Sequence, residues 1–447
     1  MTRIFDLLYF GRYDDLVVRT LPLLETDEEA RCAFLRLFMA KDNVFLLDFH
    51  KSIEPLKDEA EKGNKYAQYA YARWQTLVRG GESSIRIAYH NMKAAADQGL
   101  PDAIAGLAIT YEYGDIGQVD WKKENELIDT AFEMGSELAA MYKLQDYCFG
   151  RHFGLAQPDK AVELANQLIA RDFEKGMEIN GWWYFYRAVA NEGRIGRTRV
   201  IDDYDEAYKL GILTACTDLI IAHGYGDETN TLVETKEYTE YLNEGMERLS
   251  SGAFFMDAAR EMRRYDTLQE LYHDEDGVQR HTIRYNLMQQ SHELIHSRLS
   301  HAAELGDKAA WEQLGDCYYE GSYGFEKDYK KAFTCYSNGA IHDAVNSIEK
   351  LWKMMHDHLI DRPLDYVDSI ALQGARCGSK RLLAETVIIH QEGRLAEYAD
   401  EIERFYDPIF DAPEFSLDND EDWRDVIDEQ FGDDEPEDDD GRYDAWA

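Results

Sequence analysis

The sequence predicts an all-α protein, a solenoid of stacked pairs of antiparallel helices. Three observations predict this fold. A frame of glycine, alanine, leucine, tyrosine and glycine recurs at fixed offsets, its period lies in the mid-thirties, and the 447 residues include only eight prolines. A period of that length with two helical segments per unit is typical of helical-repeat proteins and not of a globular enzyme fold.

The clearest copy of the frame lies between residues 302 and 340. Steps of four, four, four and three residues place its members on one helical stripe that ends at a glycine, and they are Gly306, Ala310, Leu314, Tyr318 and Gly321. A second full copy comprises Gly99, Ala103, Leu107, Tyr111 and Gly114. Partial copies comprise Gly135, Ala139, Tyr147 and Gly150, then Gly211, Ala215, Leu219 and Gly226, and a weaker copy runs from Gly378 to Gly393.

Each position of the frame has a physical reason. Alanines at the crossing points let the two helices of a unit approach closely, while the leucine and tyrosine fill the space between units. Glycine supplies the left-handed conformation that ends a helix. The apolar burial within one unit is roughly cancelled by the entropy of ordering it, so stability must come from stacking.

This pattern resembles the Sel-one-like repeat, a subclass of the tetratricopeptide-like repeats. The resemblance covers roughly residues 58 to 395 and is carried by the glycine frame, by the alanine pairs before the glycine, as at residues 302 and 303, and by the second-helix residues Asp328, Lys331, Ala332 and Tyr336. It implies a right-handed superhelix that acts as a protein-binding scaffold or adaptor, with no chemistry of its own. We therefore expect no enzymatic activity and no cofactor, and a protein or peptide partner on the concave face.

The chain divides into three predicted regions. Residues 1–57 lack the frame and are predicted to form a helical cap, because the first unit of a solenoid has no preceding neighbour; a separate binding head is the alternative. Residues 58–410 form the solenoid, with degenerate units near 172–210 and 252–300. The spacing from Gly252 to Gly306 suggests an inserted half-unit. Residues 411–447 form an acidic tail.

Charge and cysteine content restrict the partners and the location. The net charge of −40 disfavours nucleic acid and anionic membranes as direct partners and favours a basic protein or peptide. No membrane-spanning apolar run and no signal peptide are visible. Six cysteines occur without a CxxC motif, and we interpret them as reduced core residues of a cytoplasmic protein; they are Cys32, Cys148, Cys216, Cys317, Cys335 and Cys377. The sequence does not predict an oligomeric state.

Two local clusters are candidate partner-binding sites. The stretch at 182–189 is rich in aromatic residues, which are either core residues or binding anchors; the candidates are Trp182, Trp183 and Tyr186. Beside it lie arginines that are either solvated or suited to an acidic peptide, namely Arg187, Arg194, Arg197 and Arg199. A second arginine cluster comprises Arg260, Arg263 and Arg264.

The C-terminal tail has two interpretations. Residues 411–447 contain seventeen acidic and two basic residues, and runs such as GDDEPEDDDG cannot bury enough apolar surface to fold. Within the tail, however, one helical face would combine Trp423, Val426, Ile427 and Phe431. The tail is either a solubilising segment that caps the last unit, or a motif that docks on a partner or on the arginine clusters. A related alternative is an inhibitor or immunity-like protein whose tail neutralises a basic target.

One motif suggests an enzyme. His292-Glu293-Leu294-Ile295-His296 matches HExxH, in which two histidines one helical turn apart bind zinc and the glutamate acts as general base. The repeat frame places this motif in the second helix of a unit, where its neighbours already form the packing stripe. No third ligand is specified, so we interpret His292 and His296 as ordinary helix residues and keep a zinc-dependent hydrolase as the alternative.

Overall fold

The computed structural model describes residues 3–79, 82–112, 119–150, 155–224, 233–273, 278–399 and 401–402. Within these residues all regular structure is helical, with twenty-two α-helices and no β-strand. Contacts between helices connect mainly neighbours in the chain, which is the arrangement of a solenoid. The prediction of an all-α solenoid is therefore confirmed.

The helices follow one another in pairs. Short 3-10 or π turns lie at Leu21–Leu23, Phe49–Ile53, Gln75–Arg79 and Ala396–Tyr398. In chain order the α-helices are α1 (Ile4–Tyr9), α2 (Tyr13–Thr20), α3 (Glu28–Leu37), α4 (Lys41–Phe45), α5 (Glu54–Glu61), α6 (Lys65–Trp74), α7 (Glu82–Asp97), α8 (Pro101–Glu112), α9 (Trp121–Glu133), α10 (Glu137–Phe149), α11 (Pro158–Glu174), α12 (Gly181–Asn191), α13 (Arg197–Lys209), α14 (Ala215–Gly224), α15 (Lys236–Glu247), α16 (Ser251–His273), α17 (Val278–Glu304), α18 (Lys308–Glu320), α19 (Tyr329–Ile341), α20 (Val345–His356), α21 (Leu364–Arg376) and α22 (Lys380–Gln391).

Consecutive units meet at one kind of turn. At Gly306, the amide donates to the carbonyl of Ala303 at 3.0 Å, and the amide of Asp307 donates to Ala302 at 3.0 Å. This is a Schellman turn, which ends the second helix of a unit and satisfies its last carbonyls. In the described part of the chain its positive-φ residue, which we call the turn residue, recurs at Gly63, Gly99, Gly135, Gly176, Gly211, Leu249, Gly306, Asp343 and Gly378.

Two turn residues are not glycine. Leu249 has φ 59° and Asp343 has φ 56°, a conformation that costs an L-residue roughly 1–2 kcal/mol. Because Leu249 ends α15, the next unit begins before Gly252. The predicted half-unit insertion is wrong: among the described residues the additional length lies in α16 and α17, which have 23 and 27 residues.

The glycine frame has the predicted structural role where it is described. The frame alanines are fully buried, and two of the frame glycines end α10 and α18 in the left-handed conformation, with φ 66° at Gly150 and 77° at Gly321. Leu219 and Leu314 are buried, whereas Leu107, Tyr111 and Tyr318 are partly exposed. Gly114 and Gly226 lie outside the described residues.

The first helices of the units differ along the solenoid. In α6, the run from Tyr66 to Ala70 is buried, so every side of the helix is covered. Similar runs occur in α10 and α12. In α18 the buried residues instead form one stripe, Ala310, Leu314, Gly315 and Cys317. The early first helices are therefore enclosed, and the late ones keep one open side.

The N-terminal segment, residues 3–53, accounts for part of this enclosure. It lies along the row of turns and shares one hydrophobic core with the units up to Met256. Several contacts join it to successive units. They pair Arg36 with Glu137, Tyr9 with Glu178 and Arg248, Asp42 with Thr214, Lys41 with Gly306, and the Phe45 ring with His342. The segment does contact the first unit, since Arg73 donates to the carbonyl of Phe38 at 2.9 Å. The predicted division of the chain at residues 57 and 410 stays a prediction.

The two ends of the described solenoid also touch. Val119, between α8 and α9, packs with Leu372 and Ala375 of α21, Leu383 of α22 and Ile402 in one buried cluster. These residues are about 250 to 280 positions apart in the sequence, so only the curvature of the solenoid brings them together. The last described residues are thus anchored in the body of the protein.

Candidate protein-binding surface

The first helices of the last three units, α18, α20 and α22, form an open polar face, which we call the A-face. Each buries one apolar stripe, and the side chains of Lys353, His356 and Arg381 are exposed. At this end of the molecule the N-terminal segment contacts Gly306 and His342. The A-face is therefore a surface on which another chain can lie.

Ion pairs connect the helices of the A-face. The Nζ atom of Lys350 in α20 lies 2.6 Å from Glu312 and 2.9 Å from Asp316, both in α18. Burial lowers the pKa of Lys350, but the two carboxylates more than offset this, so its pKa is raised. The hydroxyl of Ser379 in turn donates to Glu349. These contacts fix the spacing of neighbouring units, as a surface that recognises a partner requires.

The N-terminal segment is held by a polar network that the sequence analysis missed. Arg36 donates two hydrogen bonds to Glu137, at 2.8 and 2.7 Å, and both side chains are largely buried. Asn180 donates to the same carboxylate at 3.1 Å. The partners are more than 40 residues apart in sequence, and no local pattern marks Arg36 among 48 basic residues.

A second part of this network contains titratable groups. Lys41 donates to the carbonyl of Gly306 at 2.9 Å, and burial lowers its pKa to about 8. Burial also raises the pKa of Asp307 to about 6 and that of Asp42 above its usual value. Burial, followed by the charges of Lys41 and Lys308, lowers the pKa of His342 to about 4. The contact between the N-terminal segment and the turn at Gly306 therefore contains several side chains whose pKa values are shifted from their usual values.

A small cavity lies between the N-terminal segment and the units. Its lining includes Tyr9, Arg36, Asn180, Trp182 and Gly211. Its volume is about 10 Å³, which is room for at most one water molecule. This cavity cannot bind an organic substrate.

The predicted aromatic anchors lie in the core. The relative exposures of Trp182, Trp183 and Tyr186 are 8%, 0% and 6%. The indole N–H of Trp183 donates to Asp172 at 2.8 Å, and the ring of Trp182 stacks on Tyr186 at 5.6 Å. In this structure these residues pack helices together, and contact with a partner would require the core to open. Their role in partner binding stays a prediction.

The first arginine cluster mainly connects elements of the chain. Arg187 donates to Asp203 at 2.8 and 2.6 Å, and this hydrogen bonding raises its pKa. Arg194 pairs with Asp159, and Arg197 donates to a carbonyl of α14. Arg199 has an exposed side chain. The structure brings the four together near α12 and α13, with three of them bonded to other parts of the chain.

The second arginine cluster has a similar arrangement. Arg260 and Arg298 both pair with Asp257, at 2.6 and 2.7 Å, and Arg264 lies 3.5 Å from Glu261. Both carboxylates are buried. The pair of Arg298 with Asp257 joins α17 to α16, and the other two pairs lie within α16. Buried carboxylates require such positive partners.

The HExxH motif lies in α17, the second helix of its unit, as predicted. The Nδ1 atom of His292 donates to the carbonyl of Tyr323 at 3.0 Å, and Nε2 of His296 lies 3.3 Å from the hydroxyl of Tyr318. The Phe325 ring packs against both imidazoles, at 4.8 and 5.7 Å. Within the described residues no group of three histidine, cysteine or acidic side chains is arranged to bind a metal.

The six cysteines are unpaired. Three are buried and three partly buried. Burial raises the pKa of four of them to about 12, namely Cys32, Cys148, Cys216 and Cys317. Thiols with raised pKa values are poor nucleophiles, which agrees with a packing role.

Two further predictions concern the tail and membranes. Trp423 and Phe431 lie outside the described residues, as does the whole acidic tail. Among the helices that are described, none combines the length and apolar character needed to cross a bilayer.

Of three comparisons with known proteins, the one with solved structures found similar proteins. No protein-family model matches the chain, and no curated protein matches it. A solved Sel1 repeat protein from Oxalobacter formigenes is 14% identical, covers 77% of this chain and 91% of its own, and has a TM-score of 0.33. A protective antigen from uropathogenic Escherichia coli strains that displays an SLR fold is also 14% identical, with coverages of 90% and 92% and a TM-score of 0.32. Both proteins are described by the repeat that the glycine frame resembles.

Proposed function

We propose that this helical-repeat chain is a non-enzymatic scaffold that binds a protein or peptide on the A-face, which is our assignment of the concave binding surface. One observation carries the proposal: the first helices of the early units are enclosed, whereas α18, α20 and α22 present exposed charged side chains on helices held in register. Repeat proteins use such extended surfaces to bind other chains.

The charge of the molecule favours a basic partner. A net charge of −40 attracts basic chains over long distances and repels nucleic acids. On the A-face itself both signs occur, with Glu312, Asp316 and Glu349 beside Lys350 and Lys353. Long-range attraction therefore speeds association, and the mixed local charges determine the register.

The thiols support a reducing compartment. Six cysteines without a disulfide are typical of cytoplasmic proteins. We place the protein in the cytoplasm, where these buried residues stay reduced.

Site-specific photo-crosslinking in cells tests the proposal. A photo-reactive phenylalanine analogue replaces Lys353 or Arg381 in the full-length chain, and Lys122 of α9, which is also exposed, in the control. We expect both A-face positions to capture the same protein, identified by mass spectrometry, and the control position to capture none of it. Equal capture at Lys122, or different proteins at the two A-face positions, would exclude this surface.

A charge-reversal variant provides a second test of the proposed binding surface. The double change Lys353→Glu and Arg381→Glu should reduce partner binding about tenfold, because on this face of mixed charge the two cations would meet acidic side chains of an otherwise basic partner, and two such pairs together contribute about 1–2 kcal/mol. Lys122→Glu with Lys123→Glu is the matched control. Circular dichroism of both variants establishes that the fold is intact. Unchanged affinity in the A-face variant would contradict the proposal.

A further inference from the structure

Around the first turns of α19 and the loop before α21, cations lie over aromatic rings. The Nζ atom of Lys327 is 5.9 Å from the ring centroid of Tyr319 and 5.1 Å from that of Tyr329. The guanidinium carbon of Arg362 is 4.6 Å from the centroid of Phe333. We call these five residues the cation–aromatic patch. Tyr329 and Phe333 lie in α19, Tyr319 lies at the C-terminal end of α18, and the two cations lie in the loops before α19 and α21.

The patch differs from most basic positions of the protein. Across the described residues, arginines such as Arg36, Arg187 and Arg376 pair with carboxylates of the chain. Lys327 and Arg362 have exposed side chains and form no ion pair within 4 Å in the described part of the chain. Their charges remain available to a ligand.

The chemistry of the patch favours an acidic segment with apolar side chains. Carboxylates would pair with the two cations, and large apolar side chains would cover the partly exposed rings of Tyr319, Tyr329 and Phe333. Leu364, 61% exposed, follows Arg362 and extends the apolar area. Glu320 and Glu326 flank the patch, so binding depends on the rings as well as on charge.

The described chain ends close to this patch. Arg376, the last residue of α21, donates to Glu401 at 2.7 and 2.9 Å, and Ile402 is fully buried beside α21. Arg362 lies just before the other end of the same helix, which has 13 residues and is therefore about 20 Å long. Ile402 is therefore separated from the patch by about the length of α21.

The sequence after Ile402 has the required chemistry. Residues 411–447 carry seventeen acidic and two basic side chains, and Trp423, Val426, Ile427 and Phe431 follow a helical spacing. Sixteen residues, 403–418, precede the segment 419–431. A random coil of sixteen residues would span about 20–25 Å on average, which matches the distance to the patch.

We propose that residues 419–431 of the tail dock on the cation–aromatic patch of the same molecule. Carboxylates of the segment pair with Lys327 and Arg362, while Trp423 and Phe431 lie against the rings of Tyr329 and Phe333. A linker matched to the span gives an effective concentration of about 1 mM, so a weak contact is sufficient.

Photo-crosslinking within the purified full-length protein tests this docking. A photo-reactive phenylalanine analogue replaces Lys330, which is exposed in the first turn of α19, or Met134 of the loop after α9 as the control. We expect Lys330 to crosslink to peptides within 419–431 at the mass of one chain, at dilute protein concentration. Crosslinks at Met134 should be absent.

Variants on both sides of the contact complete the test. Lys327→Glu with Arg362→Glu should lower the crosslink yield about tenfold, as should Trp423→Ala with Phe431→Ala. Lys122→Glu with Lys123→Glu and Tyr443→Ala are the controls that leave the yield unchanged. Crosslinks only at the mass of two chains, crosslinks to another part of the chain, or equal yields at Lys330 and Met134 would each overturn the proposal.

Discussion

The first helices of the early and late units obey the same repeat chemistry but have different surroundings. In α6 and α12 most residues are buried, on all sides of the helix, whereas α18 and α22 bury a single stripe. The N-terminal segment lies against the early units through buried hydrogen bonds such as those of Arg36. The comparison teaches that the repeat frame determines how helices stack, while a segment outside the frame determines which of them remain accessible.

The largest expected effect comes from the polar network of the covered region. Arg36→Ala removes the positive partner of the buried Glu137 carboxylate and two of its three hydrogen bonds, so the free energy of unfolding should fall by about 3–5 kcal/mol. Lys93→Ala is the control, because Lys93 and Asp97 form an exposed pair at 3.0 Å whose loss should leave the free energy of unfolding almost unchanged. Urea denaturation measures both.

Hydrogen exchange then localises the effect of Arg36→Ala. Faster exchange should appear in residues 3–53 and in α10, and not in α20 or α22. Uniform acceleration across all units would show that the segment is an inseparable part of the core and would contradict the division between covered and open regions.

Alanine substitutions at two turn glycines compare a turn that the N-terminal segment contacts with a turn that has free space around it. Gly306 and Gly99 have φ 90° and 76°, and an added Cβ at Gly306 would lie 2.7 Å from the Phe45 ring, whereas at Gly99 it would meet nothing within 4 Å. Gly99→Ala should therefore cost about 1 kcal/mol of unfolding free energy from backbone strain alone. Gly306→Ala should cost about 2–3 kcal/mol, since steric crowding adds to the same strain. Equal costs would mean that Phe45 moves freely away from the turn.

The pH dependence of stability tests the shifted pKa values of Asp307 and His342. The raised pKa of Asp307, about 6, means that its carboxyl stabilises the fold when protonated, so this stability is lost as pH rises from about 4 to 6. The lowered pKa of His342, about 4, has the opposite sign: its stability is present above pH 6.5 and is lost as pH falls towards 4. In the parent protein the two dependences largely oppose each other.

Asp307→Asn separates these dependences. Asparagine keeps the N-cap bond to the amide of Ala310, which is 2.9 Å long in the parent, and removes one titration. Relative to the parent, the variant should gain stability between pH 4 and 6 by about 1–3 kcal/mol. Asp120→Asn, at the N-cap of α9, is the control. If the free energy of unfolding changed with pH in the same way in the parent and in Asp307→Asn, the assigned protonation of Asp307 would be contradicted.

Local patterns predicted the repeated turns well, because a positive φ is a property of a single residue and glycine accepts it without a steric cost. Leu249 and Asp343 adopt the same conformation without being glycine, and no sequence rule identified them. The spacing between Gly252 and Gly306 was therefore misinterpreted, since the turn that begins that unit is at Leu249. The alternative roles of Arg187 and Arg194 also depended on distant partners, Asp203 and Asp159.

The sequence by itself determined the all-α class, the place of most turns and the close packing at frame alanines such as Ala310, because these depend on residues within one or two helical turns. Only the tertiary structure decided that residues 3–53 lie along the turns, that α8 and α9 meet α21 and α22, and that α18 to α22 remain open. Such contacts join residues up to 297 positions apart, as between Phe45 and His342. They depend on the accumulated curvature of the stacked units, which no local pattern encodes.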